Sequence, residues 1–273
     1  VELDPDFRID WPIRQGDIFG FRAWDQQPPL QRYGVVVTAD CDIAQGRPDQ
    51  ELVFVKIVTQ FDYIDMFWSR SKLERAEKKA FDDLVPQLNK IRRELDATVS
   101  DLTRSEVEQW VRASTNEDII STLAATNEGQ QAQLKKSLDR HRPAIECAAI
   151  PPGECCFESL LKVRSETRAK LLSQAAGELK SQRDELFFVT SIKEASDQTG
   201  YYVLLDQIGA IRRDQISDSL SEVKQGKKLA YRFGRLSKTF KYALTQKFAF
   251  LFQRIGLPVD HSERHNDCLT RLQ

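Results

Sequence analysis

The chain has 273 residues, of which 41% are hydrophobic and 30% charged, with 40 lysines and arginines against 41 acidic residues. That length buries one large core or two modest ones, the composition is that of an ordinary soluble protein, and no apolar run reaches the roughly 18 residues a membrane span needs. A net charge of −1 selects no partner by itself.

The opening residues Val1-Glu2-Leu3-Asp4-Pro5 carry acid and no apolar stretch, so no secretory signal is expected. Residues 13–64 then read as strands. Ile18-Phe19, Val35-Val36-Val37 and Leu52-Val53-Phe54-Val55 are short β-branched and aromatic runs. Pro28-Pro29 marks a loop, and Gln45-Gly46-Arg47-Pro48-Asp49 has the residues of a turn.

Residues 65–184 change period. Leu73, Phe81, Leu84, Leu88, Ile91 and Leu95 recur at spacings of three, four and seven, a helical or coiled-coil-like seam. Pro86 falls within it and is expected to kink or divide the helix. Thr103-Arg104-Ser105-Glu106 is a capping-box pattern opening a second helix. Asn116-Glu117-Asp118 starts a third, which Gly129 should break. A polar helix is expected over 130–140, ended by Pro143, and another over 157–183. This insertion is either an independent helical subdomain or a hairpin packed on the strands.

Strand character resumes in residues 185–258, at Phe187-Phe188-Val189, Tyr201-Tyr202-Val203-Leu204-Leu205 and Gly209-Ala210-Ile211. A last helix is expected over 238–255, its buried face formed by Phe240, Leu244, Phe248, Leu251, Phe252 and Ile255. Gly256 and Pro258 supply a cap and a stop. Residues 259–273 read as a polar tail.

Charge is unevenly placed. From Val223 to Pro258 there is no acidic residue, and the same stretch holds Lys224, Lys227, Lys228, Arg232, Arg235, Lys238, Lys241, Lys247 and Arg254. Such a segment attracts phosphate, and nucleic acid is the expected ligand of Lys224, Lys227, Lys228, Arg232, Arg235, Lys238 and Lys241. The neutral alternative is an amphipathic helix with a solvated basic face.

Thr38, Asp40, Cys41 and Asp42 concentrate a thiol and two carboxylates after a buried strand and form a possible loop site. Flanking aspartates work against a thiolate, so a buried cysteine in a turn held by Asx-type hydrogen bonds is the favoured reading there. Five cysteines (Cys41, Cys147, Cys155, Cys156, Cys268) lack the density of a disulfide scaffold, and a reducing cytoplasm is expected. Neither His261, His265 and Cys268 nor His141, Cys147, Cys155 and Cys156 has paired zinc-ligand spacing, so no metal is expected. Nucleotide-binding glycine patterns and nucleophile elbows are missing as well. No cofactor is therefore expected.

Three strand motifs, Gln15-Gly16-Asp17-Ile18, Arg32-Tyr33-Gly34-Val35-Val36-Val37-Thr38 and Val55-Lys56-Ile57-Val58-Thr59, together with Leu236-Ser237-Lys238 before the last helix, resemble the MazF/PemK family of toxin endoribonucleases. Tyr33 stands where that family has proline, and Gln60 where it has a small hydroxyl residue. The resemblance implies an α+β fold: a small SH3-like β-barrel interrupted by a helical insertion and closed by a C-terminal basic helix. It further implies metal-independent cleavage of RNA, with Arg32 and Thr59 as the catalytic pair, in a cytoplasmic toxin or defence-type protein that forms homodimers and meets an antitoxin or other protein partner through the insertion. The competing expectation is a non-catalytic SH3-like scaffold whose helical insertion docks a partner.

Overall fold

The β-branched runs form strands that are buried over most of their length, with Val53 exposed near the start of its strand. In the computed structural model, residues 2–23, 26–46, 49–123, 128–151, 154, 156–180, 184–192 and 200–253 are described. In chain order the elements are β1 (Asp17–Phe21), β2 (Tyr33–Val36), α1 (Asp40–Gln45), β3 (Glu51–Thr59), α2 (Gln60–Tyr63), α3 (Ser69–Leu95), α4 (Arg104–Ala113), α5 (Asn116–Thr122), α6 (Glu128–Ala148), α7 (Phe157–Arg164) and α8 (Arg168–Leu179). They continue with β4 (Leu186–Val189), β5 (Tyr201–Arg212), β6 (Ile216–Ser217), α9 (Leu220–Lys224), β7 (Ala230–Arg235) and α10 (Lys238–Gln253). The chain divides into two compact units: Val1–Gln60 with Gln182–Gln273, and Phe61–Ser181.

The first unit is one seven-stranded sheet in the order β4-β5-β3-β2-β1-β7-β6. All its pairings are antiparallel except β6 with β7. The sheet is open, so the expected small closed barrel is corrected: β4 and β6 are its two edges rather than neighbours. The runs 201–205 and 209–211 belong to one long strand, β5, whose pairing with β3 shifts between Val55 and Lys56. The extra residues bend the strand there.

Alternation along the strands feeds two apolar clusters. Ile18, Val35, Val55, Ile57, Val203 and Phe233 belong to the first, together with Leu244 and flanking Phe240 and Phe248 of α10. Phe19, Val36, Leu52, Phe54, Ile211 and Ile216 belong to the second, with Ile43 of α1. The buried face expected for α10 holds at Leu244. Phe252 is 39% exposed, and Ile255 lies outside the described residues, as do Gly256, Pro258 and the tail. At the β4 edge, Lys247 Nζ donates to the Leu186 carbonyl and Glu2 accepts from the Thr190 amide. These contacts occupy edge groups that would otherwise invite another strand.

Asp17, 1% exposed, organises one side of this unit. Arg232 Nη1 reaches its Oδ2 at 2.8 Å, and Arg235 Nε donates to its Oδ1. The remaining guanidinium donors bind backbone: Arg232 the carbonyls of Ile9 and Trp11, and Arg235 that of Pro12 at 2.8 Å. Phe7 lies under both guanidiniums, with its ring centre 5.6 and 5.5 Å away. Both arginines look surface-exposed in sequence because i and i+3 of a regular strand face opposite sides. A register shift in the β1–β7 pairing, between Ile18 and Phe19, turns both toward Asp17.

In the second unit, the apolar seam of α3 is consumed internally. Phe81, Leu84, Leu88 and Ile91 pack with Val107 and Val111 of α4, Ile119 of α5 and Leu134 and Leu138 of α6. Pro86 does not divide α3, nor does Pro143 end α6. An interior proline costs about 3 kcal/mol. Leu84 and Leu88, both fully buried, each contribute about 1.5–3 kcal/mol on either side of Pro86 and outweigh it. Gly129 falls in the first turn of α6 rather than at a break. The helix expected over 157–183 is two helices, separated where Ser165 turns left-handed (φ 52°) and Thr167 caps α8. A π-helical turn, Ile64–Trp68, precedes α3. Its buried Asp65 accepts from the amides of Cys156 and Phe157 at 2.8 and 2.6 Å, capping α7 from a distance in sequence.

Two stability outcomes are expected. Asp17→Ala strands two buried guanidiniums and should lower the stability of the sheet unit by about 3–5 kcal/mol, read by urea denaturation. In the helical unit, burial pushes the His141 imidazole below its ordinary value; Arg140 and Lys79 act in the same sense, and Asp83 opposes them. The unfolded chain therefore takes up that proton first as pH falls. Stability should decline as pH drops below about 6.5 toward the folded value, and His141→Gln should flatten that slope in thermal melts.

Candidate functional site

At the end of the sheet where β1 finishes and β2 begins, the second cluster opens into a pocket of about 670 Å³. Its floor is aromatic. Phe19, Phe21 and Phe54 meet at ring separations of 5.2–5.6 Å. The Phe54 ring lies across two neighbouring strands, over Gly34 of β2 and Gly209 of β5. A Cβ would come within 2.7 and 2.4 Å of that ring at those two positions. Both glycines are therefore steric requirements of the floor.

Leu30 and Leu229 add apolar walls, Gln27 and Gln31 supply amides, and Arg22 and Lys56 supply charge. No carboxylate lines the pocket among the described residues. Leu229 is 53% exposed, a large apolar surface for a single side chain to leave in water. Arg22 is held through its backbone and lies against a glycine. Its amide donates to Leu229 O at 2.8 Å, and its guanidinium lies over Gly226, a residue with φ +77°, where a Cβ would sit 2.7 Å from Nη1. Lys224 and Lys227, on either side of that glycine, are solvent-exposed. Two of the expected phosphate-binding lysines thus join Arg22 and Lys56 near one pocket.

Arg32 stands at the same end. It follows a 3-10 turn, Pro29–Gln31, and its Nε donates to Gln27 O at 2.9 Å, which ties its side chain to a pocket residue. Its carbonyl accepts from the Phe21 amide. Thr59 ends β3, opposite Tyr201. The Tyr33–Ile57 register places Arg32 and Thr59 at the same end of the sheet. Strand alternation separates their faces. Thr59 shares the side of Val55 and Ile57, which pack in the first cluster, whereas Arg32 is tied to the pocket side. The described geometry does not bring the expected catalytic pair together on one face.

The other expected residues disperse. Arg232 and Arg235 are 4% and 7% exposed and belong to the Asp17 ion group, which corrects their assignment to a nucleic-acid surface. Lys228 donates to the Asp214 carbonyl. Lys241 pairs with Asp40 at 2.7 Å, and Lys238 is exposed at the start of α10. The Thr38–Asp42 loop is structural. Thr38 Oγ1 accepts from Val53 N at 2.7 Å, and Asp40 opens α1 while accepting from Gln15 N at 2.9 Å. Partial burial raises the Asp40 carboxyl, but the hydrogen bonds from Lys241 and Gln15 outweigh it and hold the carboxyl below its ordinary value. Cys41 is exposed, which corrects the expectation of a buried cysteine, and contacts Asp42 at 3.6 Å.

Among the described residues no three His, Cys, Asp or Glu side chains converge as a metal-binding group. The His261–Cys268 donors and Cys155 lie outside the described residues. Burial raises the Cys156 thiol, the reverse of an activated nucleophile. Among the described residues, no helix is long and apolar enough to cross a membrane.

No family model matches the chain, no curated protein is significantly similar to it, and no solved structure is significantly similar to its fold. Sequence reasoning missed Arg22, Lys56 and the Phe21–Phe54 floor. Two isolated cations, Lys56 on β3 and Arg22 just after β1, leave no signal until the register between β1, β2 and β3 is known. Replacing Arg22 and Lys56 by Ala should weaken binding of a single-stranded polyanion. It should also reduce the slope of log K against log salt by about 1.4, the value for two lost phosphate contacts, read by fluorescence anisotropy across a salt series.

Proposed function

We propose that the protein acts on single-stranded RNA, holding one nucleotide in the Phe21–Phe54 pocket, with Arg32 at the phosphate. The observation that carries the reading is the pocket's chemistry: an aromatic floor for a base and cations for the backbone, with no carboxylate among the described lining residues. Arg22 and Lys56 hold the strand, and Lys224 and Lys227 extend its basic rim. The resemblance of the strand motifs to MazF/PemK toxins supports RNA over DNA and a cytoplasmic toxin or defence role. It also supports reading the open sheet as a divergent relative of the SH3-like barrel.

The catalytic form of this proposal is metal-independent cleavage. The ribose 2′-oxygen forms a bond to the adjacent phosphorus as its proton passes to solvent. The 5′-oxygen of the next nucleotide departs and takes up a proton, leaving a 2′,3′-cyclic phosphate. The Arg32 guanidinium stabilises charge on the equatorial phosphate oxygens; Thr59, on the face of Val55 and Ile57, is given no part in this step. An antitoxin or a second copy remains the proposed protein partner. The α3 seam is not its docking surface, because Phe81, Leu84 and Leu88 are buried within their own unit.

Purified protein incubated with labelled mixed-sequence RNA in EDTA tests this. Arg32→Ala should reduce cleavage by about 100-fold or more with an unchanged melting temperature. Full activity in that variant would remove Arg32 from the mechanism. RNA retained on a gel without cleavage would leave a binding module, and neither cleavage nor retention would overturn the reading.

A further inference from the structure

A second cavity of similar size, about 670 Å³, opens over the same apolar cluster and has a different lining. Ile13 and Ile216 form its floor and Trp11 its aromatic wall, while Asp218 and Glu222 bring carboxylates into it. Trp11 is a built feature rather than a loose surface residue. Its carbonyl accepts from Arg232, and its ring is backed by the Arg235 guanidinium 5.8 Å from the ring centre. The buried Asp17 ion group thereby fixes the indole at the cavity wall. Indole area remains available, since Trp11 is 36% exposed.

The polar groups differ in how far they are engaged. Arg213 Nη1 donates to the Ile43 carbonyl at 3.0 Å, and Asp214 pairs with Arg212. Glu222 Oε2 accepts from Ser217 Oγ at 2.6 Å, leaving its other oxygen available. Asp218 is exposed on the segment between β6 and α9. The cavity thus offers a fixed aromatic surface, acceptor carboxylates and a guanidinium. That combination suits a flat ring whose edge presents N–H donors. It suits a bare phosphate poorly.

The two cavities are neighbours. Lys228 lines this one and Leu229 lines the Phe21–Phe54 pocket. Leu229 is held between the Gln215 carbonyl and the Arg22 amide, at 3.0 and 2.8 Å. Two consecutive residues, Lys228 and Leu229, thus line the two cavities, and a single strand crossing that segment would meet both.

We propose that the Trp11–Asp218–Glu222 cavity is a base-reading subsite for guanine. The base stacks on Trp11, and its N1–H and N2–H donors meet the carboxylates. This inference rests on the RNA-binding reading above and adds sequence preference to it: the Phe21–Phe54 pocket takes any base, and this cavity selects one.

The test compares oligouridine hexamers with and without a single guanosine, by fluorescence anisotropy, on the wild type, Asp218→Asn and Trp11→Leu. The guanosine hexamer should bind the wild type about tenfold or more tightly. Asp218→Asn should abolish that preference without changing oligouridine affinity. A wild type that binds both hexamers equally, or a preference that survives Asp218→Asn, overturns the subsite and leaves RNA binding standing. Absence of binding to either hexamer overturns RNA binding and the subsite together. Asp218 is exposed and is not itself a member of the Asp17 ion group, so its variant serves even if Trp11→Leu misfolds.

Discussion

The sheet unit depends on a carboxylate with almost no access to water. Asp17 accepts from two arginines and from the Arg14 amide, and those arginines spend their other donors on the carbonyls of Ile9, Trp11 and Pro12. Desolvating three charges costs several kcal/mol per ion, and such groups persist only when nearly every donor and acceptor finds a partner. Here the partners are backbone atoms of an N-terminal segment that has little regular structure of its own. The ion group converts that segment into a wall with fixed side chains. Gly16 fits the same constraint: its φ of +88° allows the chain to enter β1 beneath the Lys241 stem, whose carbons a Cβ would meet at 3.2–3.4 Å.

This organisation explains what was legible in the sequence. The short runs around Val35, Phe54 and Tyr201 announced strands because residues buried on both faces leave a continuous apolar signal. The capping box at Thr103 announced α4, and the seam from Phe81 to Ile91 announced α3, because both are local patterns. Closure of the sheet was not legible, because it is decided by whether β4 and β6 meet. β6 is only Ile216–Ser217, too short to read. The prolines misled for a related reason. Pro86 and Pro143 are local penalties, set against tertiary burial that the sequence does not display.

The candidate site was legible in its charge and illegible in its geometry. The acid-free stretch from Val223 promised one basic surface. The structure divides it by what lies opposite each cation. Arg232 and Arg235 face a buried aspartate, Lys241 faces Asp40, and Lys228 faces a carbonyl. Lys224 and Lys227 remain exposed beside a glycine that admits Arg22, a residue about two hundred positions earlier in the chain. Counting cations along a segment measured the supply of positive charge, and pairing decided how much of it reaches solvent.

The same logic separates the two cavities of the sheet unit. Both rest on the aromatic and aliphatic cluster of the second face, so both offer apolar area to a base. They differ in the sign of what is left over after internal pairing. Around Phe54 the remainder is positive, from Arg22 and Lys56. Around Trp11 the described cations each bind an internal partner, Asp17, Ile43 O or Asp214 O, and the exposed Asp218 adds a carboxylate. A ligand with an anionic backbone and donor-bearing rings can satisfy both remainders at once. A simple polyanion satisfies only the first. That asymmetry is the physical ground for the proposal that the face reads a strand rather than merely attracting one.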